Sequence, residues 1–172
     1  MAVRPILLFP DPTLRRVAQA VGEFDARLRE LVEDMAETMY DAPGVGLAAP
    51  QVGIEMRVAV VDVEVGTPAS RLHVLVNPRI LASEGRQTGE EGCLSIPGVT
   101  DSVDRPARVT VGALDAGGRP FELAAEGLLA RAICHEIDHL DGILFVDRLT
   151  GLRKESMARR LRRLPYVREA GA

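Results

Sequence analysis

The stretch His135-Glu136-Ile137-Asp138-His139 constrains the fold most, because it sets two imidazoles and two carboxylates in a segment that reads as a buried helix. Leu128-Leu129-Ala130-Arg131-Ala132-Ile133-Cys134 precedes it and Leu140-Asp141-Gly142 follows, both mostly apolar. Residues four apart on a helix project at nearly the same angle, so His135 and His139 can offer two ring nitrogens to one ion. Glu136 points farther round and is not the easiest ligand. It can, however, reach a water on the ion and accept its proton. Two surface histidines on a polar helix are the plain alternative, since so short a pattern also arises by chance. The apolar flanks weigh against it: buried imidazoles need partners, so a metal is expected and a third ligand is required.

Cys134 is a poor third ligand, turned roughly 100° from His135 and 140° from His139 on a regular helix. The pattern continues to Gly142 as in extended zinc-protease motifs, but the third histidine would fall at 145, which is Phe145. A downstream glutamate would be Glu155 or Glu169, both in a basic tail. Cys93, in Glu90-Glu91-Gly92-Cys93-Leu94-Ser95-Ile96-Pro97-Gly98, remains the best choice, at the start or end of a strand beside a constricted site.

Elsewhere the chain predicts an ordinary mixed domain. Asp11-Pro12 reads as the capped start of a short helix. Leu28, Leu31, Val32, Met35 and Met39 give an amphipathic helix from Asp25 to about Tyr40, stopping near Pro43-Gly44. Gly44-Val45-Gly46-Leu47-Ala48-Ala49-Pro50-Gln51-Val52-Gly53 brings the backbone close to something. No strand precedes it, so it is not read as a nucleotide loop, and a plain turn is the alternative. Strands are predicted at 57–65, at 72–78 ended by Pro78, at 108–114 and at 121–124, the last two joined by a turn at 115–118. His73 reads as an ordinary strand position. A closing helix from about Leu152 to Leu164, ended by Pro165, carries Leu152, Leu161 and Leu164 as a sparse apolar face.

The 172 residues suit one domain, 1–172, with 151–172 as a basic C-terminal helix and tail. With 47% hydrophobic and 27% charged residues, the composition is that of a soluble globular chain. No stretch is read as spanning a membrane, and the proline-broken opening is not a signal peptide, so a cytoplasmic location is expected. Two cysteines make no disulfide framework. The net charge of −4 conceals a segment 148–168 at +7 against −11 for the rest.

Three islands, Gly44-Val45-Gly46-Leu47-Ala48-Ala49-Pro50-Gln51, Glu91-Gly92-Cys93-Leu94-Ser95 and His135-Glu136-Ile137-Asp138-His139, together resemble the motifs of the bacterial peptide deformylases, in that family's order. The likeness covers nearly the whole chain to about residue 150. It implies hydrolytic removal of the formyl group from the N-terminal formyl-methionine of newly made polypeptides. On the family pattern Cys93, His135 and His139 hold the metal, and Glu136 is the general base that passes a proton to the leaving amine. Gln51, through its amide, and Leu94, through its backbone N–H, steady the oxyanion, and Gly46 adds a backbone contact to the substrate. The cofactor so implied is one divalent ion, Fe(II) in the cell, with Zn(II) or Ni(II) in purified protein. Val45, Ile133, Cys134 and His135 occupy positions that could line the methionine pocket, ordinary core being the alternative for each. Many relatives carry an arginine where this chain has Thr100, so that a contact to the peptide backbone is either absent or supplied by Arg105.

The expectation is therefore an α+β domain with antiparallel strands around a central metal-bearing helix and a C-terminal helix, working as a deformylase. The competing readings are a metallopeptidase of the His-Glu-x-x-His type and a non-catalytic metal-binding paralogue. Expected partners are formyl-methionyl peptides and, through the basic helix, ribosomal RNA, the alternative there being a solvated charged face; neither a membrane nor a nucleotide cofactor is expected.

Overall fold

In the computed structural model, which describes residues 1–171, the strand Val58–Val61 is buried along its whole length and sends alternate side chains into two cores. Val58 and Val60 meet Leu28, Leu31, Met35 and Met39 of helix α1 (Ala26–Asp41). Val61 joins Ala130, Ile133 and Ile137 of helix α2 (Gly127–Leu140). Period-2 alternation thus puts one helix on each face of the sheet. Ala172, the end of the predicted basic tail, lies outside the described residues.

In chain order the strands are β1 (Gly46–Ala48), β2 (Val58–Val61), β3 (His73–Glu84), β4 (Gln87–Cys93), β5 (Ile96–Arg105), β6 (Arg108–Leu114) and β7 (Pro120–Glu126). All pairings between them are antiparallel, in one sheet of order β1-β2-β3-β6-β7 and a separate hairpin β4-β5. The α+β class and the central helix agree with expectation.

Several local expectations are corrected. The strand predicted at 57–65 ends at Val61, because Asp62 is buried and gathers the Tyr40 and Ser70 hydroxyls and the Glu64 and Arg71 amides, which bends the chain away. Pro78 does not end the next strand; β3 runs through it to Glu84. A register shift falls between Val76 and Arg79, and Asn77 takes φ 50°, so the proline sits in an irregularity that does not ask it for an amide donor. The Asn77 side chain locks the bend by bonding both the N–H and the carbonyl of Val21. The hairpin β4-β5 was largely unforeseen, only a strand end at Cys93 having been expected.

The closing helix α3 (Gly151–Arg162) buries Met157 and Leu161, whereas Leu152 is 82% exposed. Of the predicted face, Leu161 is buried and Leu164 packs against the same cluster, while Met157 takes the place expected of Leu152. This face joins Val99 and Val103 of the cysteine hairpin in that cluster. Pro165 ends this helix but opens another, α4 (Pro165–Ala170), whose Tyr166 hydroxyl donates to the Pro97 carbonyl at 3.0 Å.

Candidate metal centre

From Ala130 to Leu140 every residue of α2 is buried, including Arg131, His135, Glu136, Asp138 and His139. Polar groups so enclosed require partners, and the cysteine hairpin supplies most of them. Gly89, Glu91 and Cys93 face the helix from β4. Glu91 accepts from His135 Nδ1 at 2.9 Å, from Arg105 Nε at 2.8 Å and Nη2 at 2.9 Å, and from Arg131 Nη1 at 2.6 Å. Asp138 pairs with Arg105 Nη1 at 2.6 Å and with both donor edges of Arg148. Burial would push the Glu91 carboxyl up, but Arg105 and His135 outweigh it and bring it to about 2. Glu91 is therefore ionised and fixes the tautomer of His135, leaving Nε2 free to bind.

That nitrogen lies 3.2 Å from His139 Nε2, which lies 3.3 Å from Cys93 Sγ, and the three atoms fall within 4.8 Å of one another. The edges of a tetrahedral site with two imidazoles and one thiolate are about 3.3 to 3.6 Å. The three donors thus fit one ion. Burial opposes charge on both rings. At His135 the hydrogen bond to Cys93 and that to Glu91 overcome it and push the imidazole up to about 10, while His139 is held well below its usual value by burial and by the neighbouring His135. Phe145, where an extended protease motif would need histidine, is buried and stacks on the His135 ring with centroids 6.1 Å apart.

Glu136 is 4% exposed and its Oε2 has no hydrogen-bond partner among the described residues. Burial pushes its carboxyl up to about 7, so it can exchange protons near neutrality. The strand β1 crosses beside it so closely that a Cβ on Gly46 would come within 2.5 Å of Glu136 Oε1. Any side chain there would have to push the Glu136 carboxylate aside. After β1 a single 3₁₀ turn, Ala49–Val52, carries Gln51, which is 1% exposed. Its Oε1 accepts the Ala48 N–H at 2.9 Å, which assigns the amide orientation and turns Nε2 to Ser95 Oγ at 3.1 Å and Cys93 Sγ at 3.6 Å.

These groups stand at one end of a cleft of about 420 Å³, walled by Gly44 to Gly46, by the hairpin from Glu90 to Thr100 and by Leu128, Arg131 and Ala132 of α2. Val45, Leu94 and His135 are on it. Ile133 and Cys134 are not: Ile133 is fully buried in the core beneath the sheet, and Cys134 faces a separate small cavity behind the helix. Both were one step out of helical phase. Arg105 does not reach the cleft either; it is 5% exposed and spent on Glu91 and Asp138, so it is no substitute for the missing arginine at Thr100. Thr100 donates to Glu90 Oε1 at 2.7 Å on the cleft rim.

Sequence reasoning missed Leu128 and Ala132, although their spacing of four and three residues from each other and from His135 marks one helix face. It also missed Glu91, which alternation in β4 puts on the same side as Cys93.

A family model for polypeptide deformylase matches residues 3–155. The chain belongs to the polypeptide deformylase family. It is 53% identical over 165 residues to a peptide deformylase of Alkalilimnicola ehrlichii, covering 95% of this chain and 92% of that protein. Among solved structures, a peptide deformylase from Legionella pneumophila is 49% identical with a TM-score of 0.88, each chain covered to 98%. A plant peptide deformylase is 36% identical with a TM-score of 0.91, covering 99% of this chain and 94% of its own. Deformylases are metal-dependent, and the three converging donors form a cluster that could hold a metal ion in this member.

Proposed function

We propose that this deformylase removes the formyl group from the N-terminal methionine of newly made polypeptides by metal-assisted hydrolysis. The observation that carries the reading is the unpartnered Glu136 carboxylate, raised to about 7 and wedged against Gly46, beside the three donor atoms within 4.8 Å. A divalent ion held by Cys93, His135 and His139 would lower the pKa of its water to about 7 and polarise the formyl oxygen. Glu136 accepts the proton of the attacking water and delivers it to the leaving amine. Gln51 Nε2, held by Ala48 and Ser95, and the Leu94 backbone N–H donate to the developing oxyanion, a contribution of roughly 3–4 kcal/mol for one well-placed donor. Gly46 offers its backbone to the substrate, and Val45 borders its side-chain pocket.

The thiolate suits a soft or borderline ion such as Fe(II) or Zn(II), and the family resemblance points to Fe(II) in the cell with Zn(II) or Ni(II) in purified protein. Among the described residues no helix is long and apolar enough to cross a membrane, and a substrate made at the ribosome supports a cytoplasmic site of action. We read residues 1–172 as one catalytic domain, a reading supported by the packing of α3 on the cysteine hairpin. Its exposed Arg153, Lys154, Arg159, Arg162 and Arg163 offer a surface to ribosomal RNA. Replacing these five by glutamine, which keeps Met157 and Leu161 in the core, is expected to abolish co-sedimentation with ribosomes; unchanged co-sedimentation removes that partner.

Hydrolysis of a formyl-Met peptide, measured beside acetyl-Met and unformylated peptides, tests the reaction. The formyl peptide alone should turn over, and Glu136→Gln with its metal retained should abolish turnover. Cleavage of internal peptide bonds would instead favour a metallopeptidase, and full activity in Glu136→Gln would overturn the assigned base.

A further inference from the structure

The strand that faces Cys93 across the hairpin carries a bulge whose carbonyls are held from outside the cleft. Gly92 pairs with Thr100 and the next residue, Cys93, pairs with Ile96, so Pro97, Gly98 and Val99 have no partner across the ladder. Gly98 turns the chain there with φ 78°, and proline at 97 gives up no amide donor in leaving the ladder. Pro97 and Gly98 are exposed, so water alone could satisfy their carbonyls. Two side chains of the closing helices take them instead. The Tyr166 hydroxyl of α4 donates to the Pro97 carbonyl at 3.0 Å, and Arg160 Nη2 of α3 donates to the Gly98 carbonyl at 3.2 Å. On the other side of the turn the Phe9 N–H donates to the Ser95 carbonyl at 2.8 Å. Beneath the bulge, Cys93 packs against the apolar cluster that Val99 shares with Met157 and Leu161 of α3. Arg153 also lies 3.9 Å from Asp101, a solvated pair that adds little.

We propose that Tyr166 and Arg160 are positioning residues for the metal centre: they clamp the 97–99 bulge and so keep the turn that carries Cys93 and Leu94 against the two histidines. This rests on the ligand set of the deformylase reading and adds to it two residues that touch neither metal nor substrate. His135 and His139 need no such support, because α2 is buried throughout the stretch that carries them. Cys93 is placed differently. It is half-buried, and its pair with Ile96 is the last of the ladder and stands alone beyond the bulge. A hydrogen bond contributes little net stability, so one isolated pair holds a turn weakly. Two further bonds to the same bulge are then a large share of what keeps the thiolate in place.

The test is the rate at which an excess of chelator removes zinc from the zinc-loaded full chain. The double variant Tyr166→Phe with Arg160→Met keeps the ring and the stem of each side chain and removes only the donors. It should lose zinc about tenfold faster than the wild-type protein, the effect of two exposed hydrogen bonds at the low end of their usual worth. Arg160→Lys, which restores a donor on a long stem beside an intact Tyr166, should release zinc at close to the wild-type rate. Leu28→Ala, in the separate core under α1, lowers global stability at least as much and should leave the release rate unchanged. Release from the double variant at the wild-type rate overturns the proposal, and so does equally fast release from Leu28→Ala, which would make the effect one of global stability. A wild-type chain that takes up no zinc overturns the proposal together with the ligand set. The expected order of release rates without turnover of any formyl-Met peptide supports the clamp and overturns the deformylase reading.

Discussion

At the scale of single residues the site is decided by close approaches. Gly46 is needed for what a side chain would strike, Glu136 Oε1 at 2.5 Å, rather than for its backbone freedom. Gly46→Ala should therefore displace the general base and lower kcat by about a hundredfold, as misplacement of a catalytic group by an ångström can do, with an unchanged far-ultraviolet circular dichroism spectrum. Near-normal kcat would show that Glu136 is not pinned by this strand. Glu91 predicts a pH effect. Its carboxyl is held at about 2 in the folded chain against an ordinary 4.5, so the folded state binds its proton less readily than the unfolded state. The stabilisation is complete above pH 4.5 and is lost as pH falls from there towards 2, up to about 3 kcal/mol. Urea midpoints at pH 6 and pH 3 should diverge more in the wild-type protein than in Glu91→Gln; equal divergence would remove Glu91 as the origin of acid lability. The histidines, Glu136 and Cys93 were legible in the sequence because their spacing and chemistry are unusual. Glu91, Arg105 and Arg131 were not legible as a network, because their partners lie up to 44 residues away and a charged residue in isolation reads as surface.

Among the elements, legibility followed periodicity. The helices α1 and α2 repeat apolar residues every three or four positions and were anticipated close to their observed bounds. The hairpin β4-β5 carries glycines and carboxylates, lies outside the main sheet and buries only part of one face, so it has little alternation to read. Pro78 misled for a different reason: a proline breaks a regular ladder but is tolerated where the ladder is already irregular. In α3 the expected stripe chose Leu152 over Met157. Met157→Ala should cost about 2–4 kcal/mol in chemical denaturation and Leu152→Ala less than about 0.5, and the reverse order would mean that α3 is rotated from the arrangement described.

For the molecule as a whole, the proposed ligands come from two elements of different solidity. His135 and His139 belong to a helix enclosed by the sheet on one side and the cysteine hairpin on the other, whose opening requires the core to open. Cys93 terminates a two-stranded unit and is only half-buried. On the proposed ligand set the thiolate would be the door and the imidazoles the frame: opening of the hairpin tip, rather than unfolding of the protein, would set the residence time of an ion held there. Loss of metal to a chelator should keep pace with hydrogen exchange of the amides around Cys93 and run far ahead of exchange in α2; release as slow as the helix amides would place the exit elsewhere.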